Sequence, residues 1–121
     1  MANLIDERFH TVFRFSSAGM SMTYPDGRFF EVNEAFCRFL GYSADQLMQL
    51  SSEEITHPDD RESGRAEMKR LVSTDSTGYQ MEKRYIHGDG HEVWVAVSVS
   101  CVRDEQERPL YLIAERRTRL D

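Results

Sequence analysis

Cysteine is nearly absent from this chain: 2 in 121 residues, Cys37 and Cys101, with no paired spacing. No disulfide framework is expected, and reduced thiols fit a cytoplasmic setting. No apolar run approaches the length of a membrane span, and the start lacks the basic flank and apolar run of a signal peptide. No membrane partner is expected. Basic residues are outnumbered, 15 Lys and Arg against 21 Asp and Glu, for a net charge of −6. That balance argues against non-specific nucleic-acid binding. There is no Gly-rich phosphate loop, paired-carboxylate motif, zinc signature, internal repeat or low-complexity segment. One domain with a modest core fits this length.

What is present is organised around the run Asn33 to Ser43. Asn33 is a good N-cap, and Glu34 suits the positive end of the helix dipole. Phe36, Phe39 and Leu40 fall at i, i+3 and i+4 and share a face. Gly41 can end the helix in the left-handed region. Ser43 then caps a second short helix to Leu50, with Leu47 and Leu50 apolar. Helices this short bury little alone and must lie across something larger, a sheet.

An amphipathic helix is predicted over 4–15, with Ile5, Phe9, Val12 and Phe13 as its stripe. Residues 19–24 and 28–32 form a hairpin about Pro25-Asp26-Gly27, with Phe30 and Val32 on the drier face. A helix follows Thr56-His57-Pro58-Asp59, started by Thr56 and Asp59 as a capping box, and runs to about Val72. Its Arg61–Arg65 half, with Ser63 and Gly64, is expected to fray. Strands 79–86 and 92–103 meet at His87-Gly88-Asp89-Gly90, and a last strand opens at Pro109. Val93, Val95, Val97, Val99 and Cys101 alternate with Trp94, Ala96, Ser98 and Ser100. Three long sequential strands with inserted helices make an α+β class.

The run Asn33-Glu34-Ala35-Phe36-Cys37-Arg38-Phe39-Leu40-Gly41-Tyr42-Ser43 resembles the PAS family, sensory-box type. So do Ile55-Thr56-His57-Pro58-Asp59-Asp60 and Glu82-Lys83-Arg84-Tyr85 through Trp94. The resemblance covers nearly the whole chain. It implies a five-stranded antiparallel sheet in the order 2-1-5-4-3 with short helices on one face. It implies an N-terminal helix over 1–17, a core over 18–116 and the start of a linker over 117–121. It also implies a sensory or regulatory module of a larger bacterial signalling protein, a histidine kinase or a diguanylate cyclase or phosphodiesterase. Such a module binds a small ligand, mediates dimerisation, or both, to control an output domain in the same chain. The alternative is a purely structural dimerisation or protein-interaction module with a self-filled core. The family usually closes on Asp-Ile-Thr, and that triplet is missing after Ala114.

No catalysis by the domain itself and no cofactor are expected. Cys37 lies in a string similar to that around the photoactive cysteine of flavin-binding LOV domains, but one helix too early. The later equivalent position, near Ile55-Thr56-His57, has no cysteine. The inward strand faces also lack the Asn and Gln that would read a flavin ring. Haem-binding members often use a His on the long helix, and residues 59–73 contain none. Cys37, His57 and Asp59 can be written as a thiol triad, but no spacing demands it. His87 and His91 flank a Gly-rich turn, where a solvated hairpin is the better reading than a metal site. The four histidines show no zinc-ligand spacing with either cysteine.

Two residue sets carry the functional expectations. Phe30, Val32, Phe36, Phe39, Leu40, Leu47, Ile55, Met68, Leu71, Met81, Lys83, Tyr85, Val95, Val97, Leu112 and Arg116 are the pocket candidates, an apolar face with few polar groups. By resemblance Lys83 points to the helical side. There it either snorkels past the long helix or, with Tyr85 and Arg116, holds a small apolar or weakly acidic ligand. Ile5, Phe9, Val12, Phe13, Trp94, Tyr111 and Ile113 are the candidates for a homodimer interface.

Overall fold

The computed structural model describes residues 2–73 and 76–118, with side chains from residue 7 onward. The elements are α1 (Ala2–Phe15), β1 (Gly19–Thr23), β2 (Phe29–Val32), α2 (Glu34–Leu40), α3 (Ala44–Leu47), α4 (Pro58–Ser73), β3 (Gly78–Ile86), β4 (Glu92–Arg103) and β5 (Pro109–Thr118). The five strands make one antiparallel sheet in the order β2-β1-β5-β4-β3, as the resemblance implied. No described helix is long and apolar enough to cross a membrane.

The core lies between the sheet and the helices. Val95, Val97 and Val99 of β4 and Leu112 and Ala114 of β5 meet Phe36 and Leu40 of α2, Leu47 of α3 and Leu71 of α4. The alternation read along β4 is thus a buried and an exposed face.

Each short helix owes its ends to side chains. The Phe36 amide donates to Asn33 Oδ1, and Gly41, at φ 76°, closes α2 through a 2.9 Å bond from its N–H to the Cys37 carbonyl. Ser43 and Gln46 form a reciprocal capping box on α3.

At α4 two expectations are corrected. Thr56 does not cap: its hydroxyl, 1 % exposed, donates to the Ser52 carbonyl, and the Asp59 amide donates to His57 Nδ1 instead. The 61–65 segment is regular helix rather than a frayed stretch, with Gly64 buried in it. A Cβ there would lie 3.6 Å from Lys83 Nζ, an ordinary contact, so the helix passes over Lys83 without requiring glycine. The start of α4 is pinned to β3 by Asp60. Its carboxylate accepts from the Arg84 backbone N–H at 2.8 Å and from the guanidinium at 3.0 and 2.9 Å.

In β2 the simple alternation fails. Thr23 stands opposite Phe29 but Met22 opposite Glu31, leaving Phe30 as the extra residue of a bulge. Phe29 and Val32 therefore both face the core, while Phe30 turns outward against Tyr24 and Tyr111. Strand β5 runs to Thr118, paired with Val95, so Arg117 and Thr118 belong to the sheet and not to a linker. Residues 119–121 of the expected linker lie outside the described residues.

Candidate functional site

Three side chains of the inner sheet face bring charge into the core. Tyr85 and Lys83 alternate on β3, and Arg116 stands on β5; they are 0 %, 6 % and 2 % exposed. Arg116 Nε donates to the Tyr85 hydroxyl at 2.5 Å, and Nη1 to the Ser21 hydroxyl on β1 at 2.7 Å. Its guanidinium carbon lies 4.2 Å from the Phe36 ring centroid, a desolvated cation–π contact. Lys83 Nζ lies 5.2 Å from the Tyr85 ring centroid. Among the described residues neither cation has a carboxylate within ion-pair distance, whereas Asp60 and Arg84 on the outer side pair closely. The Arg116 guanidinium and the Tyr85 phenol thus share an apolar interior with no carboxylate beside them among the described residues, while Lys83 lies along the same face with its ammonium in contact with solvent.

The tyrosines record this field. Burial raises the Tyr85 phenol, but the Arg116 charge, the Lys83 charge and the Arg116 hydrogen bond outweigh burial and hold it below the ordinary tyrosine value. Burial pushes Tyr79, three pleat repeats away on the same strand, up to about 12. Tyr79 therefore contributes stability that is intact below pH ~10 and lost as pH rises through about 12. Tyr85 acts in the opposite sense: its contribution is present above pH ~10 and lost as pH falls through its depressed folded value. Absorbance titration at ~295 nm (the usual phenolate band, set by the ordinary tyrosine pKa near 10) is expected to show an early and a late tyrosine. Tyr85→Phe should delete the early phase and Tyr79→Phe the late one. A single phase in the wild type would contradict the placement of both.

The sequence-derived pocket set lands unevenly. Phe36, Leu40, Leu47, Ile55, Leu71, Tyr85, Val95, Val97 and Leu112 are core, with Val32, Phe39 and Met68 packed against it. Phe30 is corrected to the outer face by the bulge. Met81 is half-buried and borders a surface groove with Gln80 and Glu82 rather than the core. Phe29, Ser21 and Tyr79 were missed. Tyr79 shares the pleat parity of Lys83 and Tyr85, which was signal enough; Ser21 had none.

Two openings approach the charged cluster. A pocket of about 80 Å³, room for two or three waters, lies beside Gly64 and is lined by Ser52, Thr56 and Met68 among others. An open groove of about 460 Å³ exposes an edge of Arg116 between Arg38, Phe39 and Arg117.

The dimer candidates divide similarly. Val12 is 68 % exposed and Trp94 41 %, the latter under the Arg84 guanidinium. Phe9, Tyr111 and Ile113 are half-buried. Phe13 is corrected: it is covered by its own chain, and its carbonyl accepts from Asn33 Nδ2 at 2.8 Å. The Ile5 side chain lies outside the described residues.

Comparison with known proteins agrees with this architecture. A family model described as the PAS fold matches residues 29–114. The chain is 34 % identical over 110 residues to a probable diguanylate cyclase, DgcE, of Escherichia coli K12, and 30 % identical over 108 residues to the sensor histidine kinase TmoS of Ectopseudomonas mendocina. These alignments cover 91 % and 89 % of the chain but only 10 % and 11 % of those proteins. The crystal structure of a PAS domain from Colwellia psychrerythraea superposes with a TM-score of 0.86 at 20 % identity, over 95 % of this chain and 97 % of that one. Family match, sheet order and superposition agree, and the chain belongs to the PAS family.

Proposed function

We propose that this domain is the sensory module of a larger signalling enzyme, and that it reads a small anionic ligand through Arg116, Tyr85 and Lys83. Its relatives named as a diguanylate cyclase and a sensor histidine kinase support the signalling role. A regulatory function without catalysis of its own fits the family. The observation that carries the ligand reading is the buried Arg116 guanidinium, which has no carboxylate partner among the described residues and lies on the same sheet face as Lys83. A buried charge left unbalanced is costly, and an incoming carboxylate or phosphate would balance it with charge-assisted hydrogen bonds. The arginine-lined groove gives such a ligand a cationic approach. An apolar body suits the phenylalanine-lined interior. Flavin and haem are not part of this proposal.

One observation favours a second reading, a structural module with a self-filled core. Phe29, Phe36 and Leu40 already occupy the interior, and the pocket beside Gly64 holds only about 80 Å³. Dimerisation through Val12, Trp94 and their neighbours is compatible with either. Native mass spectrometry and an absorbance scan of freshly purified protein separate the two. A retained weak acid, lost in Lys83→Met, is expected. Removing one charged partner should weaken retention about 10- to 100-fold, the worth of a charge-assisted bond. No retained molecule, together with unchanged thermal stability in Lys83→Met and no shift from a panel of small carboxylates, would favour the self-filled module.

A further inference from the structure

The β3–β4 turn reads His87-Gly88-Asp89-Gly90-His91, and folding gathers its three side chains. One ligand atom each from His87, Asp89 and His91 lies within 4.8 Å of the other two. The two imidazole rings stack at 4.4 Å and 21°, an arrangement that keeps both nitrogens on the same side of the turn as the carboxylate. Asp89 Oδ1 stands 3.1 Å from His87 Nδ1 and 2.5 Å from His91 Nδ1.

We propose that this turn is a binding site for a divalent first-row transition ion of the Zn²⁺ type, with two histidines and one aspartate as ligands and its remaining positions open to water. Two imidazoles and a carboxylate are the ligand set such ions select, whereas Mg²⁺ prefers oxygen alone. Bonds of about 2.0–2.1 Å in a tetrahedral site put ligand atoms roughly 3.3 Å apart, so the contacts need only small side-chain rotations to receive an ion.

The tautomers are already half arranged. The Asp89 backbone N–H donates to His87 Nδ1 at 3.1 Å, so that nitrogen carries a lone pair and no proton. An ionised Asp89 only accepts, so His91 Nδ1 carries the proton between them. Ion entry displaces both hydrogen bonds: the His87 Nδ1 lone pair turns from the Asp89 N–H to the metal, and the His91 proton leaves Nδ1 while solvent supplies one to Nε2, so the freed Nδ1 lone pair binds as a neutral imidazole with no net proton release. The turn backbone is held in place meanwhile by bonds from His87 N–H to the His91 carbonyl and from Gly90 N–H to the His87 carbonyl, both 2.8 Å.

The turn is also docked on α2. Gly88 N–H donates to the Leu40 carbonyl at 2.8 Å, and the His87 ring lies against Gly41, where even a Cβ would come within 2.3 Å of it. An ion here therefore acts on the end of the helix that places Phe36 and Leu40 in the core. The site stands on its own geometry and does not depend on the anionic-ligand reading.

The test is titration of the tag-free chain with ZnCl₂, with MgCl₂ as control, in wild type, His91→Ala and Asp89→Asn. His91 and Asp89 are exposed, so both variants leave the core intact. One Zn²⁺ per chain and a rise in melting temperature reversed by chelator are expected. Each substitution should weaken binding by about tenfold or more, the loss a removed coordination partner commonly brings. In the wild type, imidazole NMR signals of His87 and His91, and not of His10 or His57, should shift with Zn²⁺. Absence of saturable binding, equal response to Mg²⁺, wild-type affinity in both variants, or shifts centred on His57 would each overturn the proposal.

Discussion

Asn33→Ala is expected to lower the unfolding free energy by roughly 3–5 kcal/mol, several times what a lost helix cap costs (about 1 kcal/mol). The reason is that Asn33 does more than cap. Its Oδ1 accepts from the Phe36 amide at 3.0 Å and from the Met20 amide at 2.9 Å. Its Nδ2 donates to the carbonyls of Phe13 at 2.8 Å and Ala18 at 2.9 Å. One side chain, 3 % exposed, thereby joins α1, the α1–β1 link, β1 and α2. Alanine leaves these backbone groups without a partner out of reach of bulk water, and each such group costs about 1–3 kcal/mol. Asn33→Asp sharpens the test. It keeps the acceptor for both amides but turns a second carboxylate oxygen on the Phe13 and Ala18 carbonyls. It should be at least as destabilised as alanine despite being a better cap on an isolated helix. Urea unfolding of the two variants measures this; a loss near 1 kcal/mol for alanine, the size of a cap alone, would show that the other contacts are idle.

The second large effect is a coupling. Tyr85→Phe removes the hydroxyl that Arg116 Nε donates to, and Arg116→Met removes the donor. Each single change strands a buried polar partner, so each should cost about 2 kcal/mol. The double variant strands only the Ser21 hydroxyl and is expected to recover part of the sum, a coupling of roughly 1–3 kcal/mol. Exchanging a buried charged network for apolar groups of similar size is often neutral or even stabilising, so the double variant is not expected to be the least stable of the three. Denaturant midpoints of the four proteins settle the matter, and strict additivity would mean that the 2.5 Å contact carries no energy.

Much of this was legible in the residues. The valine alternation of β4 needs only the pleat, and the caps of α2 and α3 need only Asn33, Gly41 and Ser43 in their places. Sheet order was not derivable that way; it came from the family resemblance, since alternation does not say which strand lies beside which. The misses have a common physical cause. A period-two count put Phe30 inside because it cannot register an extra residue, and the bulge opposite Met22 and Thr23 reverses the parity there. Gly64 read as a weak point of a helix because its burial, on the side of α4 that faces Lys83 of β3, depends on a residue 19 positions away (83 minus 64). Asn33 was legible as a cap, while its bonds to Phe13 and Ala18 depend on how α1 returns to the sheet. His87 and His91 were legible as a turn, and only the folded hairpin brings both nitrogens onto Asp89.

The sheet order has a bearing on how the domain is made. The last strand in sequence, β5, is the middle one, bonded to β1 on one side and β4 on the other. Until it exists, a nascent chain holds two separate hairpins, β1–β2 and β3–β4, with no ladder between them. At ordinary elongation rates the strand takes roughly a second to synthesise, and the exit tunnel delays it further. During that interval the valine face of β4 has no neighbour on its β5 side and must be shielded by the helices alone. Emergence of β5, rather than the growth of either hairpin, is therefore what commits this fold.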